Sequence, residues 1–342
     1  MSSTNSLARA AVIIGAALLS ACTGAQVAPA GGSGREVEPA VPRSGALADP
    51  AAGTPSGGKS WMLPSAATCG YNGKLPPCGL LYVTNYRAND VIVYKNNTIV
   101  GELKGLKGPD GICTDRHGNI WVANNLGQNL VEYAHGGTAP LKTLGDPGYY
   151  PLGCAVNPRT GALVVTNIFS TASGPGNVAI YHQTKGPPLI VNDPKIFYYF
   201  FAGFDPASNL YVDGLDTSKR FAFAELLRGQ QKLNKISLNA TINYPGAIAW
   251  DGEYVDVGDQ LYQNKVASAV YQTNGAGGKI VGKTVLTAAQ DVVGYWVGSG
   301  SLIGPDANLN DVFLYQYPAG GYPTLSLGNL DKPYGAAVSV AR

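Results

Sequence analysis

From Leu80 onward the chain is written in short apolar runs, each broken by Gly, Pro, Asn or Asp. The run from Pro109 shows the grammar: a Pro-x-Gly, a short apolar strand through Gly111-Ile112-Cys113, and a polar turn at Asp115–Asn119. A second strand follows, Ile120-Trp121-Val122-Ala123, ending in Asn124, then a third that ends at Tyr133. The run beginning at Pro151 repeats it, with PLGCAV, ALVVTN and NVAIY in the same places. Runs this short, rich in Val, Ile and Tyr and bounded by turn formers, predict strands rather than helices.

The unit returns more weakly from Phe201, Pro245 and Val293, and its opening alone returns from Pro333. The positions that open each unit are Gly111, Gly153, Phe201, Gly246, Gly294 and Gly335, spaced roughly 40 to 50 residues apart, the length of one four-stranded propeller blade. Six inner strands result. The first segment, Leu80 to Leu103, holds a second, third and fourth strand without a first, and the strand from Pro333 supplies it. The expectation is therefore an all-β, six-bladed β-propeller closed by its C-terminal strand, an arrangement that leaves only short, protected sheet edges. The charge-rich stretch Ser218–Lys235 reads as an outer loop of its blade or as a helical excursion from it.

The strand pair Pro109-Asp110-Gly111-Ile112-Cys113-Thr114-Asp115 and Gly118-Asn119-Ile120-Trp121-Val122-Ala123 resembles the NHL-repeat propellers. It is more distantly similar to the calcium-dependent gluconolactonase, or regucalcin-like, propellers. That second resemblance implies a divalent metal, Ca2+ or another, held in the channel by a Glu, two Asn and an Asp, with Asp110 as the one matching ligand. The counterparts of Asp110 in the other blades are read as Leu152, Phe200, Pro245, Val293 and Tyr334, which give a hard cation no carboxylate or amide oxygen. A metal-dependent lactonase or hydrolase is thus the alternative reading, and no cofactor is expected under the preferred one.

Composition agrees with strands and turns: 45 Gly, 23 Pro and 20 Tyr stand beside 2 Met and 3 His. Charged residues make up 13% of the chain, the net charge is +2, and no basic block exceeds a pair, which argues against nucleic acid as a partner. The N-terminus carries Arg9 and an apolar run from Ala11 to Leu19 too short to span a bilayer, followed by Leu19-Ser20-Ala21-Cys22. This string resembles the lipobox of bacterial lipoproteins. It implies cleavage after residue 21, acylation of Cys22, and an exported protein held to a membrane by its lipid, the outer membrane in a Gram-negative cell because Thr23 follows. Residues 22–60, dominated by Ala, Gly, Pro and Ser, read as a flexible tether of roughly 30 Å, and residues 61–342 as the folded body. In an oxidising compartment the four remaining cysteines read as two disulfides, Cys69–Cys78 across a local loop and Cys113–Cys154 between inner strands of adjacent blades.

In a propeller, the connection into each inner strand and the turn after the second strand open on one face. The candidate ligand-binding residues there are Asp110, Tyr150, Tyr199, Tyr244 and Tyr334 from the first set, and Asn124 and Asn167 from the second. Asn85, Asn125, Asp213 and Asp256 belong to the same second set by sequence, and Asx side chains at such places also cap turns. No nucleophile elbow or catalytic cysteine is visible, and His117, His135 and His182 fall in loops of the far side or rim. The favoured reading is a non-enzymatic binding scaffold for a protein, glycan or small ligand, since tyrosine joins apolar area to a polar tip.

Overall fold

The computed structural model describes residues 79–340, apart from 185 and 266. The signal-like segment, Cys22, the tether and the Cys69–Cys78 pair all lie outside them. Six four-stranded antiparallel sheets make up the fold. Blade 1 joins the two ends of the described chain: Pro333–Val340 is its inner strand, followed outward by Gly79–Asn85, Asp90–Lys95 and Thr98–Leu103. Blade 2 runs Pro109–Thr114, Ile120–Asn124, Asn129–Tyr133, Pro140–Gly145, and blade 3 runs Tyr149–Val156, Leu163–Ser170, Pro175–Tyr181, Leu189–Val191. Blade 4 is Tyr198–Phe204, Leu210–Leu215, Phe221–Leu226, Asn234–Ile236, and blade 5 is Pro245–Trp250, Val255–Asp259, Ala267–Thr273, Ile280–Thr287. Blade 6 has a short inner strand, Trp296–Gly298, then Ser301–Asp306, Asp311–Gln316 and Leu325–Leu327. The stretch Ser218–Lys235 contains the third strand of blade 4 and a turn, and no helix.

Each blade buries both of its faces, which is why the second strands read as unbroken apolar runs. In Gly79–Asn85 the period of two sends Leu80 and Tyr82 to a core shared with Ile112, Val122 and Tyr133 of blade 2. Leu81 and Val83 point the other way, against Ile303, Val312 and Leu314 of blade 6. Trp121 and Ala123 of blade 2 likewise meet Leu163, Val165 and Tyr181 of blade 3. Burying one such Val or Leu contributes about 1.5–3 kcal/mol, so the ring is held by wedges of side chains between sheets.

Closure is a matter of register. Gly79 pairs with Val340, Leu81 with Val338 and Asn85 with Pro333, so the last strand is zipped along its whole length. Ser339 then ties blade 1 to blade 2: its hydroxyl donates to the Gly118 carbonyl at 2.5 Å and meets His135 Nδ1 at 2.7 Å. His135 is therefore half-buried in a blade junction rather than lying free on a rim, and burial holds its imidazole below the usual range. His117 and His182 are exposed.

Inner strands also touch one another. Cys113 and Cys154 form the expected disulfide between blades 2 and 3, with Cα atoms 5.8 Å apart. Ala247 N donates to Val293 O and Gly294 N to Tyr334 O, at 3.1 and 2.7 Å, linking blade 5 to 6 and 6 to 1. Hydroxyls complete the pattern: Thr84 accepts from Gly335 N in its own blade and donates to Asp110 O in the next. Thr166 does the same between Gly153 N and Phe200 O. Asp213 takes that place in blade 4, accepting from Phe201 N at 2.8 Å, while burial drives its carboxyl well above the ordinary range.

The register corrects one assignment. Pro245 opposes Asp259 and Ile248 opposes Val257, as Pro109 opposes Asn124 and Ile112 opposes Val122. The unit in blade 5 therefore opens at Ala247, not Gly246, and the counterpart of Asp110 is Gly246, not Pro245. The misalignment arose because Pro-Gly in blade 5 imitates a Pro-x-Gly with one residue missing.

Candidate functional site: an aromatic mouth around a buried carboxyl

At the face where inner strands begin, six residues in equivalent register surround the channel: Tyr334, Asp110, Leu152, Phe200, Gly246 and Val293. Above them stand the residues of the incoming loops, with Tyr150, Tyr198 and Tyr244 in three consecutive blades and Asp291 in the next. The rings make a broken belt. Tyr86 and Tyr334 are 4.9 Å apart, Tyr150 and Phe169 4.8 Å, Phe169 and Tyr198 6.5 Å, and Phe200 and Tyr244 5.3 Å, all inclined as aromatic pairs prefer. Tyr86, Tyr150, Tyr198, Tyr244 and Tyr334 are half-buried. Lys219, from the turn after the second strand of blade 4, lays its ammonium 3.3 Å from the Tyr198 ring centre.

Asp110 sits among these rings at 6% exposure, and its carboxyl makes no hydrogen bond. Burial alone holds the carboxyl well above its ordinary range, and where it ionises its charge acts on the Tyr86 and Tyr334 phenols. Tyr334 also feels Asp291, which is buried and acts on Tyr244 as well, and Arg87, which lies 3.9 Å from Asp331. Both phenols are pushed upward, first by burial and then by the neighbouring acids, so they stay protonated.

This constellation does not fit the divalent-metal reading. A hard cation wants about six oxygens, and the residues level with Asp110 supply one phenol and otherwise carbon. Among the described residues, no group of three or more His, Cys, Asp or Glu side chains stands together.

The predicted residues divide. Asp110, Tyr150, Tyr244 and Tyr334 share the mouth. Tyr199 does not: it is 0% exposed, packed in the core between blades 3 and 4, with its hydroxyl bonded to the Asp193 backbone. Adjacent tyrosines on a strand point to opposite sides, and Tyr198 is the one turned to the mouth. Asn124 and Asn167 are also withdrawn. Asn124 Oδ1 accepts from Lys107 N in the incoming loop of its own blade, and its amide donates to Asn129; the Asn167 amide donates to Asn177.

Asn85, Asp259 and Asp306 complete the set of second-strand ends, accepting from Asp331 N, Tyr244 N and Gln290 N respectively. Asp213 lies one residue short of that place and Asp256 at the far end of its strand. Asp259, for which Asp256 was read, and Asp306 escaped the sequence reading. The signal for Asp306 was the match between Asn85-Tyr-Arg-Ala-Asn89-Asp90 and Asp306-Ala-Asn-Leu-Asn310-Asp311, whose Asn89 and Asn310 both adopt left-handed φ, 63° and 61°. Tyr86, Asp291 and Lys219 were missed as well, each a loop residue outside the repeating strands.

Below the mouth the channel encloses about 360 Å³ and is lined by small and apolar residues, Gly111, Gly153, Ala247 and Gly294 among them, with no charged side chain. Towards the opposite face it meets Phe204, Trp250 and Trp296. Between blades 5 and 6 on that face lies a buried polar cluster. The Tyr317 hydroxyl is 2.8 Å from both Asp251 Oδ2 and Asp256 Oδ1, and accepts from Gln272 at 2.9 Å. One phenol proton cannot serve two carboxylates. Asp251 Oδ1 already accepts from Glu253 N and Tyr254 N, so the Asp256 carboxyl, 0% exposed and pushed up to about 8 by burial, carries the second proton.

Neither a known family model nor a curated protein matches this sequence. Solved structures do match in fold. A chain of a nidogen/laminin complex superposes with a TM-score of 0.63 at 11% identity, covering 77% of this chain and 99% of that one. A protein of unknown function from Bacteroides caccae gives 0.57 at 15% identity, covering 76% and 98%. Similarity at this level establishes the propeller and no more.

Proposed function

We propose that the protein is an exported, lipid-anchored β-propeller that serves as a binding scaffold, engaging its ligand at the aromatic mouth. The observation that carries the reading is the belt of half-buried tyrosines Tyr86, Tyr150, Tyr198, Tyr244 and Tyr334, gathered at one end of the ring from four different blades. Rings held by neighbouring rings offer large contact area at low entropic cost, the property that makes tyrosine frequent among binding hot spots. The anchor rests on the Leu19-Ser20-Ala21-Cys22 string. A similar propeller was solved in a nidogen/laminin complex, which makes a protein ligand a reasonable first class to test.

Two experiments test the proposal. A photoreactive amino acid at Tyr150 or Tyr198 should give discrete adducts in living cells, and one at Trp250 on the opposite face should not; equal labelling from both faces, or none, would refute the scaffold role of the mouth. Cys22→Ser should abolish incorporation of an alkyne-tagged fatty acid and release the protein from the membrane fraction. Retention of both would remove the anchor.

A further inference from the structure

We infer that the mouth is a site for an organic cation, an alkylammonium or guanidinium group, held against the Tyr86 and Tyr334 ring pair with Asp110 as its counter-charge. The inference rests on the binding role proposed above and names the chemistry of the ligand.

Three observations converge. Asp110 is a carboxyl more than nine-tenths buried, with no hydrogen-bond partner, within electrostatic reach of two inclined rings. Burial alone holds that carboxyl well above its ordinary range, and the channel lining below it offers no charged group, so a cation placed beside it is what draws it into its ionised form. Asp291, also buried, acts on Tyr334 as well, so the mouth holds two acids; Arg87, a cation within reach of Tyr334, is 61% exposed and shares its charge with Asp331. Finally, the belt already accepts an ammonium, since Lys219 stands over Tyr198. A cation above a tyrosine face is attracted by the ring, and more strongly where water is excluded.

The ligand class separates this site from a metal site. An ammonium or guanidinium needs one carboxylate and ring faces, which are present, whereas calcium needs several oxygens, which are not.

Calorimetric titration of the folded body with n-butylammonium, n-butylguanidinium and the neutral n-butanol tests the inference. Both cations should bind at least tenfold tighter than n-butanol, a difference readily resolved in Kd. Asp110→Asn should lose at least tenfold in cation affinity while binding of n-butanol is unchanged. If that variant fails to fold, Tyr86→Leu, which keeps apolar bulk and removes the ring, should weaken the cations severalfold and spare the alcohol. Equal binding of alcohol and cations, cation binding indifferent to Asp110→Asn, or calcium-dependent stabilisation lost in Asp110→Ala would each overturn it.

Blocked Gly-Lys-Gly and Gly-Arg-Gly peptides separate the sources: tenfold tighter binding than the matching alkyl cation assigns the group to a polypeptide, and equal or weaker binding to a free amine. Cross-linking at Tyr150 that persists while every cation fails would refute the cation and leave the scaffold standing.

Discussion

Replacing Asp256 by Asn should make the propeller more stable, and increasingly so as the pH rises from about 5 to 8. The carboxyl is raised from 3.8 to about 8, with burial the largest cause. Across the interval between those values the folded chain retains a proton that the unfolded chain has released. Stability from this group is fully present below the unfolded value, declines as pH rises, and stops declining above the folded one. Within the interval the folding constant falls about tenfold per pH unit, so two units cost on the order of 3 kcal/mol. The amide of Asn cannot ionise and can still donate to Tyr317, which then gives its own proton to Asp251. The raised carboxyls of Asp110 and Asp213 are common to both proteins and cancel in the difference. Urea unfolding followed by tryptophan fluorescence, repeated at several pH values, yields that difference directly. Curves that run parallel, or a variant less stable throughout, would show that Asp256 is not the protonated member of the cluster.

Three further outcomes follow from the contacts between blades. Cys113→Ser with Cys154→Ser opens a loop whose ends are 41 residues apart, and should cost about 3 to 4 kcal/mol in the chain-entropy account, visible as a lower Tm that no longer responds to reductant. Thr166→Val strands the Gly153 N–H and the Phe200 carbonyl, at a cost of about 1–3 kcal/mol in denaturant melts, while Thr166→Ser keeps both bonds and should lose much less. Gly153→Ala places a Cβ 2.7 Å from Phe200 O and 3.2 Å from Phe201 Cα; the backbone of blade 4 must move, and a loss of at least about 2 kcal/mol is expected, with unchanged stability refuting the close approach.

The blades were legible because their grammar is local. A Pro-x-Gly opens blades 1, 2 and 3 and an Asx ends the second strand of blades 1, 2, 5 and 6, and the missing first strand before Leu80 implied the closing one. Where one residue of spacing carried the information, the sequence was ambiguous: Pro245-Gly246 mimicked the opening of a unit one position early, and only the pairing of Ile248 with Val257 resolves it. The same single-residue sensitivity exchanged Tyr199 for Tyr198, since neighbours on a strand face opposite ways. The mouth was harder to read. Its rings come from both kinds of loop, and Tyr86 meets Tyr334 only because the chain closes on itself across 248 positions, 334 minus 86. The predicted asparagines were real structural markers of the right loops, but their side chains are turned inside the blade, Asn124 to Lys107 N and the Asn129 amide and Asn167 to the Asn177 amide.

The pairing of Gly79 with Val340 also determines how the ring can be handled. Tyr334 opens that last strand at the mouth and Val340 closes it at the opposite side, so the described chain both enters and leaves there. A reporter joined directly at Gly79 or at Val340 therefore starts on the side away from the tyrosines, and capture at either of those two positions would leave the aromatic belt looking outward into the flow.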